Sequence, residues 1–230
     1  MDNNFSGFLE GILAKRHYVL DRNIPLSKYV PIHLSAKNKL LQDIDVSSSD
    51  TLGRFINKQI KDQNGLVGFG GYNETRRIYQ RSLHFKKLNA DSERNIHLGI
   101  DLWCEAETPI YAPLDATVHS FKNNLNYGDY GPTIILKHNI KDVMFYTLYG
   151  HLSLNSIANL KLGQVVKQGQ ELATLGDASV NGDYPPHLHF QIIKDIRDYK
   201  GDYPGVCSLS DLEFYLNNCP DPNLLLKLKI

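Results

Sequence analysis

From Gly65 onward the chain is cut into short runs rich in Val, Ile, Tyr, Phe and Thr, separated by Gly, Pro, Asn and Asp. The runs GLVGFGGY, IHLGIDLW, TPIYAP, ATVHSF, PTIILKH, VMFYTLYGHL, QVVKQGQELATLG and LHFQII leave little room for helices between them. β-branched and aromatic side chains suit a pleated, half-buried surface, and turn residues at this spacing keep reversing the chain. The pattern predicts a mainly β fold, an antiparallel split barrel or sandwich. Gly163, Gly169 and Gly176 punctuate the approach to the last run.

The flanks read differently. Residues 1–64 are expected to form a helical N-terminal extension. Phe5, Phe8, Leu9, Ile12 and Leu13 recur at helical spacing, and Pro25 and Pro31 break the chain after them. A second helix starts within Ser47 to Asp50, carries the stripe Leu52, Phe55, Ile56, Ile60 and stops near Asn64-Gly65. Residues 65–195 are the β domain, and residues 196–230 a C-terminal helical tail. In the tail, Ser210 and Glu213 have capping-box spacing ahead of Leu212, Phe214, Tyr215 and Leu216, and Cys219-Pro220 ends that helix. Both apolar arms need a surface to bury against, so they are expected to pack on the β domain and partly roof its groove.

With 25 basic and 25 acidic residues among 230, nothing points to nucleic acid or to an acidic membrane surface. No stretch approaches 18 apolar residues, so no membrane span is expected. Three cysteines, Cys104, Cys207 and Cys219, are too few for a disulfide framework, and Cys104 reads as a packed thiol. The first 20 residues lack a basic start, and Glu10 interrupts the apolar segment a secretory signal would need. The expected location is therefore cytoplasmic.

Chemistry concentrates in three histidine-bearing runs. In PPHLHF, His187 and His189 are two apart on a predicted strand, hence on one face and roughly 7 Å apart. HLGID supplies His97 and Asp101, and LYGHL supplies His151. Fully extended, His97 and Asp101 would stand about 13 Å apart, too far to share an ion. A bend is required, and Gly99 is the residue best able to supply it. With that bend, His97, Asp101 and His189 can surround one Zn²⁺ at about 2.0–2.2 Å and leave a fourth position for water. His151 and His187 are then free for proton transfer and oxyanion support.

These motifs together, HxxxD followed by GHL and then HxH, resemble those of the LytM/lysostaphin-type zinc metallopeptidases. Neighbouring text agrees: GFGGY is similar to the family's opening strand, GIDLWCEAETPIYAPLDATV to its central run, and LKLGQVVKQGQELATLG to the hairpin before HLHF. The resemblance covers roughly residues 65–195. It implies an all-β, groove-bearing split barrel, one zinc ion held by His97, Asp101 and His189, and catalytic roles for His151 and His187. It also implies cleavage of peptide bonds in peptidoglycan or Gly-containing peptides. The text further resembles domains of this type fused between kinase-like and class III aminotransferase-like enzymes. Ala116 stands where the family usually has Gly, and GDASVNGDYPPHLHF is longer and more acidic than the usual approach to HLHF. Two other functions compete: a non-catalytic metal-binding regulatory or binding module on the same fold, and an amide hydrolase whose substrate is intracellular and not the cell wall.

The remaining candidates have plainer readings. The resemblance also implies a candidate in Asn73, since in some latent relatives an upstream Asn fills the fourth zinc position; the plainer reading is a turn residue before a strand. Tyr146 and Tyr149 flank GHL, where packing competes with lining the groove. Trp103 reads as core. His17, His33, His84, His119 and His138 read as surface or hydrogen-bonded structural residues. Arg76-Arg77 and Lys86-Lys87 read as solvated faces.

Overall fold

The structure is a computed structural model that describes residues 5, 7, 8, 11, 15–82, 85 and 92–229. Its strands are β1 (Tyr29–Pro31), β2 (Val67–Gly70), β3 (Glu74–Thr75), β4 (Ile96–His97), β5 (Ile100–Trp103), β6 (Pro109–Tyr111), β7 (Ala116–Asn124), β8 (Gly131–Ile140), β9 (Val143–Gly150), β10 (Val165–Val166), β11 (Glu171–Thr174), β12 (His187–Ile193) and β13 (Val206–Cys207). Its helices are α1 (Ser49–Asp62), α2 (Asn155–Ala158), α3 (Leu212–Asn218) and α4 (Asn223–Leu226). Eight strands form one sheet in the order β1-β2-β5-β12-β9-β8-β7-β10; β11 and β6 form a two-stranded sheet, and β13-β4-β3 a three-stranded one. The mainly β class is as expected. Among the described residues the outer strands β1 and β10 have one neighbour each, so the large sheet is open there.

The long meander β7-β8-β9 anchors the sheet. Only Lys141 and Asp142 join β8 to β9, with φ of 51° and 64°. Two consecutive left-handed residues make the type I′ geometry whose twist matches the strands it joins. β12 lies between β5 and β9 at the sheet centre and is buried along its whole length. Leu188, Phe190 and Ile192 face the main core with Ile134, Leu136, Phe145 and Tyr149. His187, His189 and Gln191 alternate onto the opposite face.

Residues 29–31 are strand rather than helix. β1 pairs in parallel with β2, Tyr29 opposite Val67. Parallel neighbours need a long crossover, and α1 lies within this one. The Ser48 hydroxyl caps α1 by accepting from the Thr51 N–H at 3.2 Å, and Asn64, at φ 52°, turns the chain after it. Leu52 and Ile56 pack into a second apolar cluster with Leu34, Ile78, Tyr79, Phe85, Trp103 and Tyr184.

The helix expected around residues 5–13 falls largely outside the described residues; the Phe5 and Phe8 rings pack edge-on against Phe145 at 5.8 and 6.3 Å. In the tail the capping box does not form. Ser208 and Ser210 bond each other at 2.9 Å, Ser208 donates to Asp211 at 2.7 Å, and the helix begins only at Leu212. Leu225, Leu226 and Leu228 dock into the main core. No described helix is long and apolar enough to cross a membrane.

Candidate metal centre and catalytic histidines

Hydrogen-bond register assembles most of the site. β12 sets His189 opposite Asp101 on β5 and opposite Gly150 on β9, the residue before His151. His187 lies opposite Trp103. His97 arrives from the three-stranded sheet at the end of β4, and the chain crosses through Leu98-Gly99 into β5 of the large sheet. The bend required between His97 and Asp101 is this change of sheet. What Gly99 supplies is space: a Cβ there would lie 2.6 Å from Cε1 and Nε2 of His189.

His97 Nε2 lies 2.8 Å from His189 Nδ1 and 3.2 Å from Asp101 Oδ1; His189 Nδ1 lies 3.4 Å from the same oxygen. The far nitrogen of each imidazole is engaged. His97 Nδ1 is 2.9 Å from the Gly71 carbonyl, and His189 Nε2 is 3.0 Å from Gln191 Oε1. Gln191 presents that oxygen because its amide nitrogen donates to the Pro204 carbonyl and to Cys219 Sγ. Each ring therefore donates its proton outward and turns a lone pair inward. Two inward lone pairs and a carboxylate oxygen, all buried, repel one another unless a cation lies among them. Asp101 Oδ1 has no hydrogen-bond partner among the described residues although it is fully buried. Two imidazoles and one carboxylate are the donor set of a three-ligand zinc site, and among the described residues these three alone form a metal-competent group.

His151 and His187 stand beside this set as a pair, ring centroids 4.2 Å apart. His151 Nδ1 donates to the Asn181 carbonyl and His187 Nδ1 to the Pro185 carbonyl, both at 2.7 Å, so each Nε2 keeps its lone pair. His187 Nε2 is 3.8 Å from Asp101 Oδ1. The long acidic stretch before HLHF has a use here. Asn181, wholly buried, donates to the carbonyls of Gly176 and Tyr184 and accepts from the Tyr184 N–H, which fixes the carbonyl that orients His151.

Burial dominates the electrostatics. It pushes His97 down to about 4 against the pull of Asp101. It holds His151 well below the usual histidine value, with His187 adding to the effect, and lowers His187 against Asp101. All three are neutral near pH 7. Burial alone would raise the Asp101 carboxyl, but the Arg76 guanidinium, 2.6 Å away and always charged, opposes it, and the group is held well below the usual carboxylate range.

Arg76 is a correction to the expected solvated face. It is 5 % exposed, and its Nη1 donates to Asp101 Oδ2 at 2.6 Å. A lone Arg-Arg pair carries no sign of a partner 25 residues away. Gln191 could have been found, because alternation from His187 and His189 places it on their face. Tyr130, its hydroxyl 3.4 Å from His189 Nε2, carried no signal. Asn73 is exposed and lines a different surface pocket; only its backbone N–H reaches the His97 carbonyl, at 2.9 Å. Tyr149 is core and Tyr146 packs on His119 at 5.1 Å, so neither lines the site.

The site opens into a cavity of about 50 Å³. Leu34 and Leu52 from the first 64 residues line it together with Ile78, Tyr79 and Phe85, so the N-terminal segment reaches the site through a loop and the helix α1. His97, Asp101, His151, His187 and His189 are each at most 5 % exposed.

Residues 95–201, a little under half of the chain, match the model of peptidase family M23. They are similar to peptidase M23 domains. The chain is 26% identical over 182 residues to an uncharacterized metalloprotease of Haemophilus influenzae, which covers 78% of this chain and 35% of that protein. It is 30% identical over 118 residues to the peptidoglycan DD-endopeptidase ShyB of Vibrio cholerae, over 50% of this chain and 25% of that one. The chain thus spans about a third or less of the length of these curated relatives. The catalytic domain of lysostaphin from Staphylococcus simulans aligns with a TM-score of 0.37 at 25% identity, over 53% of this chain and 80% of that chain. All five site residues fall inside the matched M23 segment; Arg76 and the residues that roof the cavity from Leu34 to Phe85 fall before it.

Proposed function

We propose that this chain is a zinc-dependent peptidase that hydrolyses amide bonds in peptidoglycan-type or Gly-containing peptides. The observation that carries the reading is the buried, unpartnered Asp101 Oδ1 between two imidazole nitrogens whose other nitrogens are already engaged. His97 Nε2, Asp101 Oδ1 and His189 Nδ1 would hold the ion. A zinc ion bound there supplies Lewis acidity, which polarises a carbonyl and acidifies water. His151 and His187 supply the proton handling. Both are neutral, both have Nδ1 tied to a backbone carbonyl, and both present Nε2 to the cavity. One imidazole can take the proton of the attacking water and pass it to the leaving amine, while the protonated form of such a pair donates to the developing oxyanion. The enclosing apolar walls strengthen each of these interactions by excluding water. The similarity to ShyB, a peptidoglycan DD-endopeptidase, supports the choice of substrate class.

Purified protein is expected to carry about one zinc per chain by elemental analysis. It should release new amino termini from peptidoglycan fragments or Gly-rich peptides, stop when a chelator removes the metal, and recover when zinc is restored. Protein that holds no zinc after purification without chelator, and takes none up, overturns the proposal.

A further inference from the structure

Asp101 is held from two sides, and one of them lies outside the M23 segment. Arg76 Nη1 donates to Asp101 Oδ2 at 2.6 Å, and Arg76 Nε donates to Glu74 Oε2 at 2.7 Å. The other oxygen of Glu74, Oε1, accepts the Leu34 backbone N–H at 2.9 Å. A chain of charge-assisted bonds therefore runs from the segment after β1, through Glu74 and Arg76, to a carboxylate of the metal centre. The two carboxylates and the guanidinium are at most about a tenth exposed. Space for the guanidinium depends on Gly71: a Cβ there would stand 1.9 Å from Arg76 Nη2. The Trp103 ring lies 5.8 Å from the guanidinium carbon. The planar fork is required, because one cation must address two carboxylates in different directions; a lysine supplies the charge without that geometry.

The consequence lies in the two oxygens of Asp101. Oδ2 is occupied by a short charge-assisted bond, and Oδ1 is the atom left facing His97 and His189. We propose that Arg76 is a positioning residue that restricts Asp101 to one-oxygen ligation, so that the segment before the M23 domain sets the coordination geometry of the metal centre. The inference rests on the reading of His97, Asp101 and His189 as metal ligands. Partners that orient a ligand typically change metal affinity by about 10–100-fold when removed.

The test uses the full chain and reads metal binding, not turnover. Zinc affinity is measured by competition with a chromophoric chelator, and coordination geometry by the visible spectrum of the Co²⁺-substituted protein. Arg76→Gln is expected to weaken zinc by about 10–100-fold and to change the Co²⁺ bands as Asp101 gains a second bonding oxygen. Arg76→Lys should restore only part of the affinity, and Glu74→Gln should move both readouts in the same direction by less. If Arg76→Gln fails to fold, Glu74→Gln and Arg76→Lys carry the test. Wild-type affinity and an unchanged spectrum in the folded variants overturn the proposal while leaving the metal site intact. A wild-type chain that binds neither ion removes the metal centre itself.

Discussion

β12 has two faces that are equally dry and chemically opposite. Leu188, Phe190 and Ile192 pack into the main hydrophobic cluster, where a side chain of similar volume and shape would serve. His187, His189 and Gln191 meet carbonyls, an amide and a carboxylate, and each of their polar atoms has an assigned direction. Burial stabilises the first face directly. On the second it penalises every unpaired polar atom, so each must be matched. Water exclusion therefore gives stability on one side of a strand and specificity on the other.

The largest expected effect belongs to the polar face. His189→Ala should lose bound zinc and turnover together, because two ligands hold the ion too weakly. His187→Ala and His151→Ala should keep zinc while turnover falls by about 10²–10⁴-fold. Zinc content and turnover measured on the same samples decide it; loss of zinc in His187→Ala with retention in His189→Ala would exchange the two roles. On the apolar face, Phe190→Ala should lower unfolding free energy by about 3–5 kcal/mol, read by urea denaturation, with zinc stoichiometry unchanged while the protein is folded. Loss of zinc from that folded variant would show that the faces are not independent.

The smallest effect concerns an imidazole on the apolar side, packed against the main core. His138 stacks on Phe145 at 4.8 Å, and its ring nitrogens lie 3.0 Å from the Asp115 carbonyl and 2.7 Å from Thr147 Oγ1. Burial pushes it down to about 4, whereas an unfolded histidine titrates near about 6.5. Between those values the unfolded chain binds the extra proton. Its contribution to stability is therefore whole above about pH 6.5, declines by about 1.4 kcal/mol per pH unit below it, and levels off under about pH 4. Between pH 7 and pH 5, wild-type protein should lose roughly 2 kcal/mol more than His138→Gln. Equal losses would mean that His138 is already protonated, or already wet, in the folded state.

What the sequence made legible follows the same division. Alternation in HLHF exposed the histidine face, because a period of two survives wherever a strand forms. The His97–Asp101 spacing signalled that a bend was needed, but not that the bend would be a change of sheet. β1 was hidden because its partner, β2, lies beyond an intervening helix, and parallel pairing leaves no local turn to read. Ser210 and Glu213 had the right spacing for a cap, yet Ser208 competed for the hydroxyl. Arg76 was invisible because its meaning depends on Gly71, Glu74 and Asp101 meeting in space.

The cavity over the ligands has one more consequence. At about 50 Å³ it has room for roughly three waters at about 15 Å³ each, whereas a scissile peptide bond arrives with residues on both sides. On the proposed function, a peptide would need Leu52, Ile78, Tyr79 and Phe85 to draw aside, and its apparent dissociation constant would be the intrinsic one divided by the fraction of molecules so opened. An ion and its waters need no such rearrangement. Affinity for metal and affinity for substrate are thus separate thermodynamic quantities in this chain. A substitution that loosens Leu52 or Phe85 should tighten peptide binding and leave zinc affinity unchanged, whereas a shift of Leu34, whose N–H holds Glu74, should reach both.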